Sequence, residues 1–287
     1  MATQPKKSDW SATQYLKFST ERTRAVYDLL SRTAPHIQTP SPRIYDLGCG
    51  PGNSTSVLLS AFPSARITGM DSSPDMLAKA SSSGLPTPQV DFIQGDLATF
   101  KPGEGEEEGA DMLFSNAVFH WLRGNTRLQT LVRLFKGLRK GGVLAIQVPD
   151  NYHAASHALM RATACMPDTP WSPAFAHTRI GDVSDPSRPD LDPIEAPAAF
   201  YDALAEHAQS VDVWRTEYFH VLASPRAIVE WVKGTGLQPY LHAIGDERAR
   251  KAFLEEYERK LAEAYPGLVD GKVLLGYPRL FVVAVRK

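Results

Sequence analysis

The chain has 287 residues, 43% hydrophobic and 22% charged, which suits one large soluble domain or a domain with an elaborated cap. Its 31 basic and 32 acidic residues leave a formal charge of −1, which argues against a nucleic-acid partner and leaves room only for a local cationic pocket. Two cysteines, Cys49 and Cys165, make neither a disulfide framework nor a metal-ligand spacing. The opening MATQPKKSDW lacks the apolar core of a signal peptide, and no apolar run approaches a membrane span. A reduced, cytoplasmic, monomeric protein is expected, with no metal and no membrane partner.

In chain order, SDWSATQYLKFSTERTRAVYDLLSR (8–32) has helical spacing and an unusual load of aromatics. RIY leads into a glycine loop, and STSVLLSAF (54–62) reads as the helix after it. ARITGMD (65–71), QVDFIQGD (89–96), ADMLFSN (110–116) and GVLAIQVPD (142–150) read as buried strands. Between them DMLAKASS (75–82) and TRLQTLVRLFKGLRK (126–140) read as helices, the second stopped by Gly141-Gly142. HAASHALMRATACM (153–166) is another helix, followed by a proline-rich stretch from Pro167 to Pro197 that is long for a connection. SVDVWRTEYFHVL (210–222) and PRLFVVAVR (278–286) are strands, with helices over 225–236 and 246–265 between them. Strands alternating with helices argue for a doubly wound, mostly parallel α/β sheet.

DLGCGPGNS (46–54) places glycines between the first strand and the first helix, where backbone must approach a ligand closely. NAD, FAD and S-adenosylmethionine sites all use such a turn, so its neighbours must decide. Asp46 precedes the loop; a carboxylate there repels a pyrophosphate and suits an ammonium or sulfonium. Asp71 ends the next strand, where an acid can accept ribose hydroxyls. Asp96 ends the third, within reach of an adenine amino group. Each acid taken alone can simply cap a turn. Three in register with a glycine loop point to one crevice at the carboxyl edge of the sheet.

This constellation resembles the class I S-adenosylmethionine-dependent methyltransferases: DLGCGPG matches their first motif, GMDSSPDML the second, QGDLATF the third, and NAVFHWL (116–122) the segment bordering the transferred methyl group. The resemblance implies a Rossmann-like sheet of seven strands with one antiparallel C-terminal strand, and a helical cap over the site. It also implies S-adenosyl-L-methionine as cofactor, with Gly48, Cys49, Gly50 and Asn53 at its methionine end. Asp71 and Ser72 fall on the ribose, Met76, Asp96 and Leu97 on adenine, and Asn116 below. Outside these motifs, the N-terminal helix, VPDNYHAASHALMR and AYPGLVDGKVLLGYPRLFVVAVRK resemble the trans-aconitate methyltransferases. The implied organisation is a helical lid over 1–40, a cofactor core over 41–150, a cap over 151–209, and C-terminal strands and helices over 210–287.

A carboxylate acceptor is ionised at neutral pH and needs no general base, so selectivity rests on cations and hydroxyls around a small polycarboxylate. His120 and Trp121 are the candidate catalytic groups, and Trp121 with Tyr15 can wall the methyl group from water. Tyr152, His153, His157, Arg161, Arg179, Tyr277 and Arg279 are the candidate substrate ligands. His153, His157 and Arg161 recur every four residues, which a solvated helix face explains as well as a binding face. Arg279 can terminate a sheet edge, although the resemblance favours substrate binding. Trp171, Trp214 and Trp231 read as packing. The alternatives are another acid such as itaconate or an isopropylmalate, a dinucleotide oxidoreductase, and a non-catalytic cofactor-binding module.

Overall fold

The computed structural model describes residues 17–102 and 109–287. Trp10 and Tyr15 lie outside these. Helix α1 (Ser19–Thr33) leads to β1 (Arg43–Leu47), α2 (Asn53–Ala61), β2 (Arg66–Asp71), α3 (Pro74–Ser81), β3 (Val90–Gln94) and β4 (Ala110–Asn116). A 3₁₀ turn (Phe119–Trp121), α4 (Gly124–Lys136), β5 (Leu138–Pro149) and α5 (Ala155–Ala164) follow. The chain closes with α6 (Ser172–Phe175), α7 (Pro197–Ala205), β6 (Ala208–Leu222), α8 (Pro225–Lys233), α9 (Gln238–Ala243), α10 (Glu247–Ala264) and β7 (Val273–Arg286).

The strands form one sheet in the order β3-β2-β1-β4-β5-β7-β6. Pairs β1–β2, β1–β4, β2–β3 and β4–β5 are parallel, whereas β7 runs antiparallel to both β5 and β6. Six strands are therefore parallel and the C-terminal one is not, as the doubly wound reading with an antiparallel C-terminal strand expects. The strand order reverses between β1 and β4, and ligands of such sheets bind outside the carboxyl ends of the strands at that switch. The central strands read as apolar runs because helices cover both faces: Leu113, Leu144, Ile146 and Leu280 pack on one side, Ile44, Phe114, Val143 and Phe281 on the other.

A third core lies past the sheet. There α8 and α10 pack on the ends of β6 and β7 that outrun β5, burying Trp231, Phe253, Tyr257 and Tyr277. Trp171 meets Phe253 edge-on with ring centroids 5.6 Å apart, and Trp214 lies parallel to Phe281 at 4.8 Å, so both act as packing groups. Tyr257 donates its hydroxyl to the Ser156 carbonyl (2.8 Å), while the Tyr265 hydroxyl accepts from the Ser156 amide (3.0 Å). These bonds fix the start of α5, the helix that carries His157 and Arg161.

Two sequence expectations change. Helix α4 stops at Lys136 with Gly137 as its cap, and residues 138–140 open β5 instead of finishing the helix. Leu138 pairs with Ala110 before the register shifts, and a Cβ on Gly142 would stand 2.9 Å from the Ala110 carbonyl oxygen. That glycine therefore serves a strand irregularity. The proline-rich stretch holds one short helix, α6, and a loop knotted by arginines, and it ends where α7 begins at Pro197. Arg188 is buried and pairs with Asp190 and Asp192; Arg123 binds Asp192 and the carbonyls of Arg188 and Asp190. Among the described residues no helix is long and apolar enough to cross a membrane.

Phe253→Ala should cost about 3–5 kcal/mol, because its ring is fully enclosed and the hole cannot close. Denaturant unfolding of the variant beside the parent measures it.

Candidate active site

The loop after β1 is built on three left-handed glycines, Gly48, Gly50 and Gly52, with φ of 73°, 55° and 92°. Gly48 and Cys49 give their amides to the Met70 carbonyl (2.6 and 3.0 Å), and Gly50 gives its amide to Asp71 Oδ2 (2.8 Å). A Cβ on Gly48 would lie 2.2 Å from a methyl of Val118, whereas nothing stands within 4 Å of one on Gly50. The loop is thus pinned on its Val118 side and open over Gly50.

Asp46 is fully buried beneath the loop. Its Oδ2 accepts from Ser54 Oγ and Thr55 Oγ1, both at 2.7 Å, while Oδ1 has no partner. Burial pushes its pKa up to about 6, against the two hydroxyl bonds that lower it, and the Asp71 charge adds to the rise. Cys49 is buried, and burial beside Asp46 and Asp71 pushes its thiol well above the ordinary range, so it is an inert small residue. Asp71 Oδ1 accepts from Ser73 N (2.9 Å), and the Ser73 hydroxyl caps α3 by accepting from Met76 N (3.2 Å). Ser72 is exposed, Met76 and Leu97 are buried, and Asn53 starts α2. Asp96 corrects the expectation of a third strand-end acid. β3 ends at Gln94, and exposed Asp96 caps a turn, accepting from Ala98 N (2.8 Å).

These residues fit S-adenosylmethionine. The half-buried Asp71 carboxylate can receive a ribose diol, and the open backbone over Gly50 admits the methionine end. The orphaned Asp46 Oδ1 suits a nearby cation, and Asn116 Oδ1, also buried without a partner, awaits a donor.

Past Asn116 the chain turns through Ala117, at φ 60°, into the 3₁₀ segment holding His120 and Trp121, whose rings lie 4.9 Å apart. Arg127, fully buried on α4, fixes that segment: its guanidinium donates to the Phe119 and Leu122 carbonyls (3.1 and 2.9 Å), the Pro193 carbonyl (3.1 Å) and Glu195 (2.6 Å). A cavity of about 30 Å³, space for a water or two, lies among His120, Asn151, Tyr152, His157, Arg161 and Tyr240. Burial pushes both His120 and His157 down to about 3, helped by Arg127 and Arg279 for the first and by Arg161 for the second. Both imidazoles are therefore neutral at physiological pH. Arg161 stacks over the Tyr152 ring (3.7 Å) and donates to the Tyr152 carbonyl (2.8 Å).

Arg279 is nearly fully buried and donates to Gln147 Oε1 (3.0 Å). Gln147, on β5, is the register partner of Asn116, so Arg279 on β7 stands two strands from the cofactor edge with Gln147 between. Tyr277, two residues before it on the same face, lies 6.3 Å from the His157 ring. Two expected substrate ligands fall elsewhere. Arg179 is exposed, pairing with Asp182 three residues on (2.7 Å) and bonding Ser184. His153 precedes α5, which starts only at Ala155, and is exposed beside Tyr152 (5.0 Å). The sequence reading missed Arg127 and Gln147; the polar Gln147 inside the apolar run GVLAIQVPD was the available signal.

A family model described as a methyltransferase domain matches residues 44–142. Phosphoethanolamine N-methyltransferase 2 of Haemonchus contortus, solved with S-adenosyl-L-methionine, superposes with a TM-score of 0.52 at 15% identity, over 96% of this chain and 56% of that one. That likeness establishes the fold. The glycine loop, the acid ending β2 and the sheet order define an S-adenosylmethionine-dependent methyltransferase. Among sequence relatives, the trans-aconitate 2-methyltransferases of Rhizobium rhizogenes and Agrobacterium fabrum are each 45% identical over 97% of this chain and 99% of their own. That of Methylobacterium nodulans is 46% identical over the same shares. The chain belongs to the trans-aconitate 2-methyltransferase family.

Asp71→Ala should raise the Kd for S-adenosylhomocysteine by about tenfold or more, since charge-assisted hydrogen bonds are worth about 1.5–3 kcal/mol each. Calorimetric titration reads it directly. Asp46 gives a pH signature. Its folded pKa is raised, so the penalty for its charged form is absent below the ordinary carboxylate pKa and complete above about 6. A cationic ligand offsets that penalty. Affinity for S-adenosylmethionine should therefore fall as pH drops from 7 to 5, and Asp46→Asn should flatten the profile.

Proposed function

We propose that the protein esterifies one carboxylate of trans-aconitate, with the cofactor seated on 41–150 and the acceptor covered by 151–209 and 210–287. One observation carries this reading: a buried arginine, Arg279, bonds Gln147, which itself pairs with Asn116, and so puts a fixed cation two strands from the cofactor edge. The planar fork of a guanidinium matches a carboxylate with two hydrogen bonds, and its low-dielectric surroundings strengthen the pairing. The names of the full-length relatives support the same acceptor.

When bound, S-adenosylmethionine supplies an electrophilic sulfonium methyl, which a carboxylate oxygen takes to become a methyl ester. The acceptor is already ionised at neutral pH, so the chain removes no proton and its task is placement. His120, neutral because burial disfavours its charged form, serves as a hydrogen-bond donor. Trp121 packs beside it at a tilt and shields the reacting oxygen from water. His157, Tyr152 and Tyr277 line the acceptor side. The cavity is too small for a six-carbon acid as it stands, so its lining side chains move aside to admit one.

Purified protein given labelled S-adenosylmethionine should form a base-labile methyl ester of trans-aconitate with higher kcat/KM than of itaconate or an isopropylmalate. Faster turnover of either rival would reassign the acceptor, and no ester from any acid would refute carboxyl transfer. Activity should stay level between pH 6.5 and 8.5, since neither His120 nor His157 titrates there. A fall governed by a group near pH 7 would restore a general base to the mechanism. Arg279→Met should raise the acceptor KM by about tenfold or more while leaving S-adenosylhomocysteine affinity unchanged.

A further inference from the structure

We infer that Arg22 and His220 complete, with Arg279, a subsite that grips a carboxylate of the acceptor other than the one methylated. The inference rests on the polycarboxylate reading above and assigns two residues that the cofactor motifs do not reach.

Three separate elements bring these side chains together. Arg22 projects from α1, nearly fully buried, with its guanidinium 5.1 Å over the Trp231 ring and Nη2 donating to the Trp231 carbonyl (3.0 Å). His220, on β6 and 5% exposed, lies 4.6 Å from the ring of Trp231 and 6.2 Å from that of Tyr277. Arg279, on β7, stands 5.1 Å over Tyr277 and 5.6 Å over Tyr218. Arg24 lies over the same Tyr218 ring at 4.9 Å, and the Tyr218 hydroxyl donates to Asp28. Arg22, Arg24 and Arg279 all act on the His220 ring, which is packed among the rings of Tyr218, Trp231 and Tyr277.

The imidazole points to a ligand. Nε2 of His220 is buried without a hydrogen-bond partner, a state that costs stability unless something fills it. Burial first, then Arg279, Arg24 and Arg22, holds this ring neutral by pushing its pKa down to about 4. A neutral imidazole can donate one N–H, and a carboxylate oxygen beside it would also meet the neighbouring guanidiniums. Packing alone gives no use for a buried ring nitrogen left without a partner.

The subsite adjoins the reacting end. Tyr277 stands within ring contact of both His220 and His157, the second of which lines the small cavity, and Arg279 lowers the pKa of both His120 and His220. A branched acid reaching across Tyr277 and Arg279 would present one carboxylate to each side. A dicarboxylate placed for reaction leaves this subsite less well filled, so it is a determinant of specificity.

The test uses the full chain carrying His220→Phe or Arg22→Met, with trans-aconitate and the smaller diacid itaconate as probes. For trans-aconitate, KM and the calorimetric Kd measured with S-adenosylhomocysteine present should both rise about tenfold or more. For itaconate, KM, or Ki where turnover is slow, should move less than about threefold, with kcat and S-adenosylhomocysteine affinity similarly steady. His220→Gln, which keeps a donor, should recover most of the loss. If Arg22→Met does not fold, Arg22→Lys is read in its place, since it keeps the charge but loses the fork. Equal losses for both acids, or no loss for either, would overturn the subsite. Failure of the parent protein to esterify any acid would instead refute the proposed function.

Discussion

The carboxylate of Asp46 has no contact with solvent, and the geometry of the cofactor half depends on how that charge is held. An isolated buried carboxylate is costly, and here two hydroxyls from the first turn of α2 answer one of its oxygens. To bring Ser54 and Thr55 within reach, the chain must double back over the end of β1 in very few residues. Three left-handed glycines make that return possible. The same turn brings the Gly50 amide to Asp71, so the acid ending β2 is aimed by the loop as much as by its strand.

The acceptor half is organised on a different principle. Its polar groups come from elements far apart in sequence and are fixed by arginines that bond to backbone carbonyls. Arg127 ties the His120 segment to the 193–195 loop, and Arg123 with Arg188 closes the stretch before it. Each guanidinium satisfies several carbonyls that an irregular loop would otherwise leave unpaired. That proline-rich stretch is therefore a rigid part of the site wall, and its carboxylates Asp190 and Asp192 face the small cavity as partners of those arginines.

What the sequence reveals follows the same division. The strands, the glycine loop and the acid at Asp71 are local signals, readable because strand, turn and helix succeed one another within a few residues. Leu138 and Gly142 misled because a bulge against Ala110 resembles a helix stop when its pairing partner is unseen. Arg179 carried the right chemistry in the wrong place, and the aspartate three residues on was the local hint that its charge was already used. His153 failed by helix phase, since α5 begins two residues after it. Arg22 and His220 could not be singled out at all. The alternation of Tyr218, His220 and Leu222 marks an inward face, but only tertiary pairing sets Tyr277 and Trp231 opposite that face.

Strand β7 places Tyr277, Arg279 and Phe281 on one face and Leu280, Val282 and Ala284 on the other. Side chains along a strand alternate, so sliding β7 by a single residue against β5 and β6 would turn its only arginine within 273–285 to the opposite layer of the core. The pairing that stabilises the edge of the sheet thereby also fixes where this buried positive charge sits. In lineages that share this scaffold, a new acid is more readily accommodated by exchanging side chains at fixed register than by redrawing the backbone. The antiparallel pairing of the two last strands acts as a ruler, with Tyr277, Arg279 and Phe281 at its marks.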